Sequence, residues 1–259
     1  MKLLWAKAGK LLPLDSGGKL RTYNILRHLA AAHELTYLSW YGGDRDNAYE
    51  KELQEHFPRA VTIYTAVREE TSRQRYFDYL KRFPSSAPYA VTKFTAPEVQ
   101  KLLQQWMGDR RFDAAVCDFL SATLNFPERS QTPVVLFQHN VETILWQRKA
   151  EFEPRWLDRM ISRIEYAKMR RYEPRQVQRF HHVIAVSEQD RTAMAAMADG
   201  ARITVVPTGV DLSKYQYDPS VRPAAPLVVF TGSMDWEPNI DGVEFFCREV
   251  WPKVLSQLP

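Results

Sequence analysis

Short apolar runs alternate with longer amphipathic segments almost from the first residue of this chain, and that alternation fixes the fold class. Residues 3–6, 35–41, 60–64, 114–117, 134–137, 183–186 and 203–206 are each a few residues long and rich in Val, Ile, Leu or aromatic side chains. They are too short for helices and read as buried strands. Between them lie helical patterns. In 19–32, Thr22, Ile25, Leu26 and Leu29 recur at i, i+3, i+4 and i+7, and 46–56 and 68–82 read as helices. Leu157, Met160, Ile161, Ile164 and Ala167 mark a long helix, expected to break near Pro174. Strands separated by helices need crossover connections, so the sheet is mainly parallel and covered on both faces. The expected fold is a doubly wound α/β domain of the Rossmann-like kind.

Local punctuation places the helix ends. Thr95-Ala96-Pro97-Glu98 fits a capping box that opens a helix to about Met107. Ser187 caps another, which Asp199-Gly200 closes. Residues 212–226 lack periodicity and are rich in Pro, a linker composition. After it, 227–230 reads as a new strand, followed by Thr231-Gly232-Ser233 and a helix from about Ile240. This predicts a first domain over 1–211, a linker over 212–226, and over 227–259 the first β-α unit of a second domain. About 33 residues cannot build a core alone. They either dock on the first domain or begin a domain whose remainder is absent.

Composition narrows the setting. Apolar residues make up 45% and charged residues 25% of the 259, the balance of a soluble globular protein. Cys117 and Cys247 form no disulfide framework and no metal-ligand spacing, which suggests a cytoplasmic chain. Lys7 and Lys10 interrupt the apolar start, which is no signal peptide or spanning segment. The net charge of +4 is local: 155–179 holds eight basic and three acidic residues, +5, leaving −1 elsewhere. That stretch is a solvated helix face, a contact for an anionic membrane, or a nucleic-acid surface. Trp146, Trp156, Tyr166 and Tyr172 lie in or near it. No nucleic-acid fold signature accompanies it, so the first two readings lead.

Two segments carry chemistry. Ser16-Gly17-Gly18 stands between the first strand and first helix, where small residues admit a ligand and a helix N-terminus offers free N–H groups. The alternative is a plain tight turn. It is neither a dinucleotide fingerprint nor a P-loop, since G-x-G-x-x-G and G-K-[ST] are missing, which argues against a Rossmann dehydrogenase or epimerase. Gln138-His139-Asn140-Val141-Glu142 follows the fifth strand, at the carboxyl edge where such sheets bind ligands. His139 there donates to a substrate hydroxyl or acts as a base; alternatively Asn140 is a helix N-cap and Glu142 answers the dipole. Asp118 also ends a strand, while His181 and His182 read as surface or packing residues.

Taken in order, Pro13 to Arg21, His139 to Glu142, Val183 to Glu188, Val205 to Asp211 and Val229 to Asn239 resemble the retaining GT-B glycosyltransferases called family four or group one. The Gly232-Ser233-Met234-Asp235-Trp236 segment is similar to a bacterial exopolysaccharide-biosynthesis subgroup. The resemblance implies two Rossmann-like domains, an N-terminal acceptor side and a C-terminal nucleotide-sugar side. It implies a hexosyltransferase-type reaction with retention, onto a polysaccharide or lipid-linked glycan, with no metal and no cofactor beyond the nucleotide-sugar donor. His139 inherits the catalytic place beside the transferred sugar. Ser16, Gly17, Gly18, Arg21, Asn140, Glu142, Gly209, Gly232 and Ser233 inherit donor or acceptor contacts. The stretch 232–239 lacks the basic pair that relatives carry there, and no paired-glutamate motif precedes Pro259. The chain is therefore expected to be inactive alone, or else to be a non-catalytic acceptor-binding or partner module derived from such an enzyme.

Overall fold

The computed structural model describes residues 1–65, 72–212, 218, 220, 227–234 and 237–257. It divides into two compact units, Met1–Gly209 and Val210–Pro259. The expected linker lies almost wholly outside the described residues, as do 68–71 of the expected third helix and Asp235-Trp236.

In the first unit the strands are β1 (Lys2–Ala8), β2 (Glu34–Tyr41), β3 (Ala60–Tyr64), β4 (Ala114–Asp118), β5 (Val134–Phe137), β6 (His182–Ala185) and β7 (Ile203–Val205). The helices are α1 (Gly17–Ala32), α2 (Asn47–His56), α3 (Ser72–Arg82), α4 (Tyr89–Thr92), α5 (Pro97–Gly108), α6 (Glu142–Phe152), α7 (Trp156–Arg179) and α8 (Glu188–Met197). All seven strands are parallel, in the order β3-β2-β1-β4-β5-β6-β7. The doubly wound sheet is as the sequence pattern requires. Its order reverses between β1 and β4, which opens a crevice at their carboxyl ends. The register sets Lys7 beside Asp118 at that point.

Side chains alternate across the sheet and divide the core in two. Leu4, Ala6, Leu38 and Trp40 face one side with Leu103 of α5, Val177 of α7 and Met194 of α8. Trp5, Leu35, Tyr37 and Tyr41 face the other with Leu26 of α1 and Leu53 of α2. Neither cysteine is in a disulfide; Cys117 is buried and Cys247 exposed.

Three local expectations are corrected. Pro174 does not break α7, which runs through it to Arg179. The turn beyond the proline is anchored by burial of Gln176 and Val177 and by Arg179, which donates to the carbonyls of Phe126 and Pro127. The Thr95 capping box does not form: Ala96 is the N-cap of α5, and its N–H donates to Asn125 Oδ1 instead. In the second unit, 227–230 is not a strand, and its four side chains are exposed. A strand needs a hydrogen-bonded neighbour, and the rest of that unit's described structure is α9 (Glu237–Phe245), a π-helical turn (Phe246–Val250) and α10 (Trp251–Gln257). The cap of α8 is as expected, with Ser187 Oγ accepting from Asp190 N.

Candidate functional site

A single buried carboxylate organises the crevice. Asp118, the last residue of β4, is fully buried. Its Oδ2 accepts from Trp5 Nε1 at 2.9 Å, Thr22 Oγ1 at 2.7 Å and Lys7 Nζ at 3.2 Å. Its Oδ1 lies 2.6 Å from His139 Nε2. Burial alone pushes this carboxyl up, but Lys7, His139 and Trp5 outweigh it and hold it well below the ordinary carboxylate range. Asp118 is therefore an anion at any physiological pH.

That anion fixes the histidine. A carboxylate only accepts and a guanidinium only donates. Arg21 NH1 stands 3.3 Å from His139 Nδ1, so the consistent tautomer carries its proton on Nε2, toward Asp118, and a lone pair on Nδ1. With Nε2 on Asp118, it is Nδ1 that faces Arg21 and the glycine pair. The ring is held between Phe137, at 4.8 Å between centroids, and Phe119, at 5.4 Å and nearly perpendicular. Phe119 adopts φ 81°, unusual for a bulky residue, with its N–H donating to the carbonyl of Phe137. Gly18 lies beneath: a Cβ there would be 3.6 Å from His139 Nδ1.

The segment that carries His139 is clamped from behind. Glu173 of α7 is fully buried. Its Oε1 accepts from Gln138 Nε2 and from the N–H of Glu142, both at 3.0 Å. Its Oε2 accepts from the N–H of Thr143 at 2.7 Å. Thus the N-terminus of α6 is capped by a side chain thirty residues away in sequence, at |i−j| of 30 and 31. Asn140 is not the N-cap; Val141 is, with no side-chain cap of its own. Glu142 does open α6, where burial and the neighbouring Glu173 push its carboxyl up to about 7. Asn140 Oδ1 is buried with no protein partner.

Arg21 is the half-buried cation beside His139. Burial lowers its pKa, while Asp118 and Asp190 draw it back up, and its buried Nε has no protein partner. Ser16 is the N-cap of α1 without a side-chain cap bond. Ser16, Gly17, Gly18, Arg21, His139, Asn140 and Glu142 lie in the segments that follow the carboxyl ends of β1 and β5. Gly209 is exposed beyond β7, at the end of its unit. Gly232 and Ser233 belong to the second unit, where Asn239 Nδ2 donates to the carbonyl of Ser233. His181 and His182 are surface residues with structural bonds, within the surface-or-packing reading: the exposed His181 accepts from Val134 N through Nδ1 and His182 bonds Thr204. Lys7, Phe119 and Glu173 went unforeseen. Lys7 was legible in principle, as a charge ending a buried strand. Phe119 and Glu173 act through a backbone angle and a long-range contact that no local pattern carries.

Among the described residues no three His, Cys, Asp or Glu side chains gather as a metal site, and no helix is long and apolar enough to cross a membrane.

Comparison with known proteins adds the family. No curated protein matches the chain by sequence. Among solved structures it is similar to Anabaena Alr3699/HepE in complex with UDP and glucose, at 17% identity and TM-score 0.46, over 85% of this chain and 47% of that one. It is also similar to Phytolacca americana UGT2 complexed with UDP-2fluoro-glucose and pterostilbene, at 8% identity and TM-score 0.45, over 81% and 54%. A third is OtsA, at 14% identity and TM-score 0.42, over 83% and 51%. The chain spans about half the length of these proteins. A match to Glycosyltransferase Family 4 covers residues 16–214, from the start of α1 to beyond β7, and the chain belongs to that family.

Proposed function

We propose that this chain forms the acceptor-side wall of a glycosyltransferase that moves a sugar, with retention, from a nucleotide-sugar to a polysaccharide or lipid-linked glycan. The observation that carries the reading is the Asp118–His139–Arg21 cluster over the Gly17-Gly18 start of α1. Asp118 orients the imidazole and keeps its proton on Nε2. Nδ1 is then free to accept a hydrogen bond from a sugar hydroxyl once Arg21 turns away from it. Arg21, partly desolvated and with Nε unpaired, is suited to the charge of a leaving diphosphate. That assignment supplies a cation where the 232–239 stretch offers none. The free N–H groups at the start of α1 add a positive dipole end. On this reading the donor charge is met by side chains and backbone without a metal, and the division near 209–211 separates acceptor and donor sides. Gly209, Gly232 and Ser233 serve the donor. The exopolysaccharide setting, a cytoplasmic location and a contact between 155–179 and anionic membrane belong to the same reading.

The test is transfer by a polypeptide that joins these residues to a nucleotide-sugar-binding half. Release of nucleoside diphosphate from a panel of nucleotide-sugars is expected with a glycan acceptor. His139→Ala is expected to lower turnover far more than stability. Release that no acceptor stimulates, or equal losses of turnover and stability, refutes the assignment.

A further inference from the structure

Helix α7 buries a mixed face against the domain, Ser162, Glu165, Glu173 and Gln176 together with Met169, Tyr172 and Val177. Outward, in its first turns, it shows Trp156, Leu157 and Met160, with Phe152 of α6 beside them. Trp156 is 70% and Phe152 77% exposed. Folding in water alone gives no reason to place these four outside.

Beyond that apolar end the same face turns basic. Trp156, Met160, Arg163, Ala167 and Arg170 follow one another at steps of four and three, one stripe of the helix. Arg171 and Arg175 flank it, and all four arginines are exposed. The stripe from Trp156 to Arg175 runs about 29 Å at 1.5 Å per residue. The acids that offset the charge in the sequence are turned away from it: Glu165 and Glu173 are buried, and Asp158 pairs with Arg155.

We infer that α7 lies on an anionic lipid bilayer, with Phe152, Trp156, Leu157 and Met160 in the headgroup boundary and Arg163, Arg170, Arg171 and Arg175 over the lipid phosphates. An apolar aromatic end joined to a basic row fits an amphipathic surface helix. A tryptophan with its polar N–H suits the water–hydrocarbon boundary. A nucleic acid would match the arginines but has no use for Leu157 and Met160. The sequence places such a contact over 155–179; the inferred face starts at the exposed Phe152 and excludes Tyr172, which is buried. This inference deepens the lipid-linked-acceptor reading, and vesicle binding is measured without sugar transfer, so either can fail alone.

The experiment is flotation of the purified 259-residue chain with vesicles of phosphatidylcholine, alone or mixed with phosphatidylglycerol. Binding only to the mixed vesicles, weakened by salt, is expected, with a blue-shifted tryptophan emission that W156F removes. The variant Trp156→Ser/Leu157→Ser/Met160→Ser is expected to lose the insertion. Each Arg→Gln change among the four is expected to weaken partitioning about five-fold, as about 1 kcal/mol per charge implies, while Arg→Lys retains it. Circular dichroism of these surface variants checks that the fold is kept. Equal partition onto both vesicle types overturns the inference. So does binding that the serine variant leaves intact, paired with equal affinity for duplex DNA, which marks a general polyanion surface.

Discussion

Asp118 and Glu173 are both fully buried carboxylates, and both hold the segment that carries His139, one from the crevice and one from behind. They differ in what faces them. Asp118 meets a Lys7 ammonium besides its neutral donors and stays ionised. Glu173 meets an amide and two backbone N–H groups, has Glu142 for a neighbour, and is pushed up by burial that those donors only partly offset. Burial costs both the same kind of desolvation. A formal counter-charge decides which carboxyl is held below its ordinary range and which is pushed above it.

The largest break in this comparison comes from deleting the anion. Asp118→Ala leaves the partly buried Lys7 without its partner, strips His139 of its orienting acceptor, and orphans the Trp5 and Thr22 donors. The expected loss is about 3 to 5 kcal/mol in denaturant titration. Because the folded-state pKa is depressed, this contribution is present at neutral pH and is lost as pH falls through the acid range below the ordinary carboxylate value. The variant's stability is therefore flatter than the parent's on the acid side.

Glu173→Gln probes the carboxyl without a counter-charge and is expected to cost less, about 1 to 3 kcal/mol, since the shape is kept but an NH2 replaces one acceptor and strands a donor at the start of α6. A loss as large as that of Asp118→Ala, measured in the same titration, would erase the distinction drawn here.

The smaller effect is a slope. Glu142 holds its proton to about 7 in the folded chain against an ordinary value near 4.5. The unfolded chain thus binds fewer protons between those values, and stability falls as pH rises across them. Glu142→Gln is expected to flatten melting temperature over that window and to melt higher than the parent above it. Melting curves that superimpose at every pH would remove Glu142 from the account.

These contrasts also mark what the sequence could say. The strands and their order of appearance were legible because the central ones are covered on both faces of a parallel sheet and read as continuous apolar runs. His139 and Asp118 were each visible as polar residues ending a strand, but not as partners, because their contact spans 21 residues and depends on strand order. The strand order itself, with β1 beside β4, is a tertiary fact. Local cap rules failed at Thr95 and Asn140 for one reason: in both places a distant side chain, Asn125 or Glu173, satisfies the helix start and removes the need for a local cap. The proline rule failed at Pro174 because long-range anchors outlast one missing hydrogen bond.

The glycine pair is where fold and ligand requirements come apart most cleanly. Neither Gly17 nor Gly18 has a positive φ. A Cβ at Gly17 would meet nothing within 4 Å, and one at Gly18 would make ordinary contact with the His139 ring. The fold itself therefore asks for no glycine at 17, and Gly17→Ala, in the first turn of α1, is expected to raise stability slightly, by about 0.4 to 1 kcal/mol. If the start of α1 receives a diphosphate or sugar, the added methyl occupies the space of approach. Nucleotide-sugar binding by a polypeptide carrying both halves then weakens while melting temperature holds or rises. A variant that binds unchanged would return Ser16-Gly17-Gly18 to the plain turn the sequence also allows, and would leave the Asp118–His139–Arg21 cluster to carry the ligand alone.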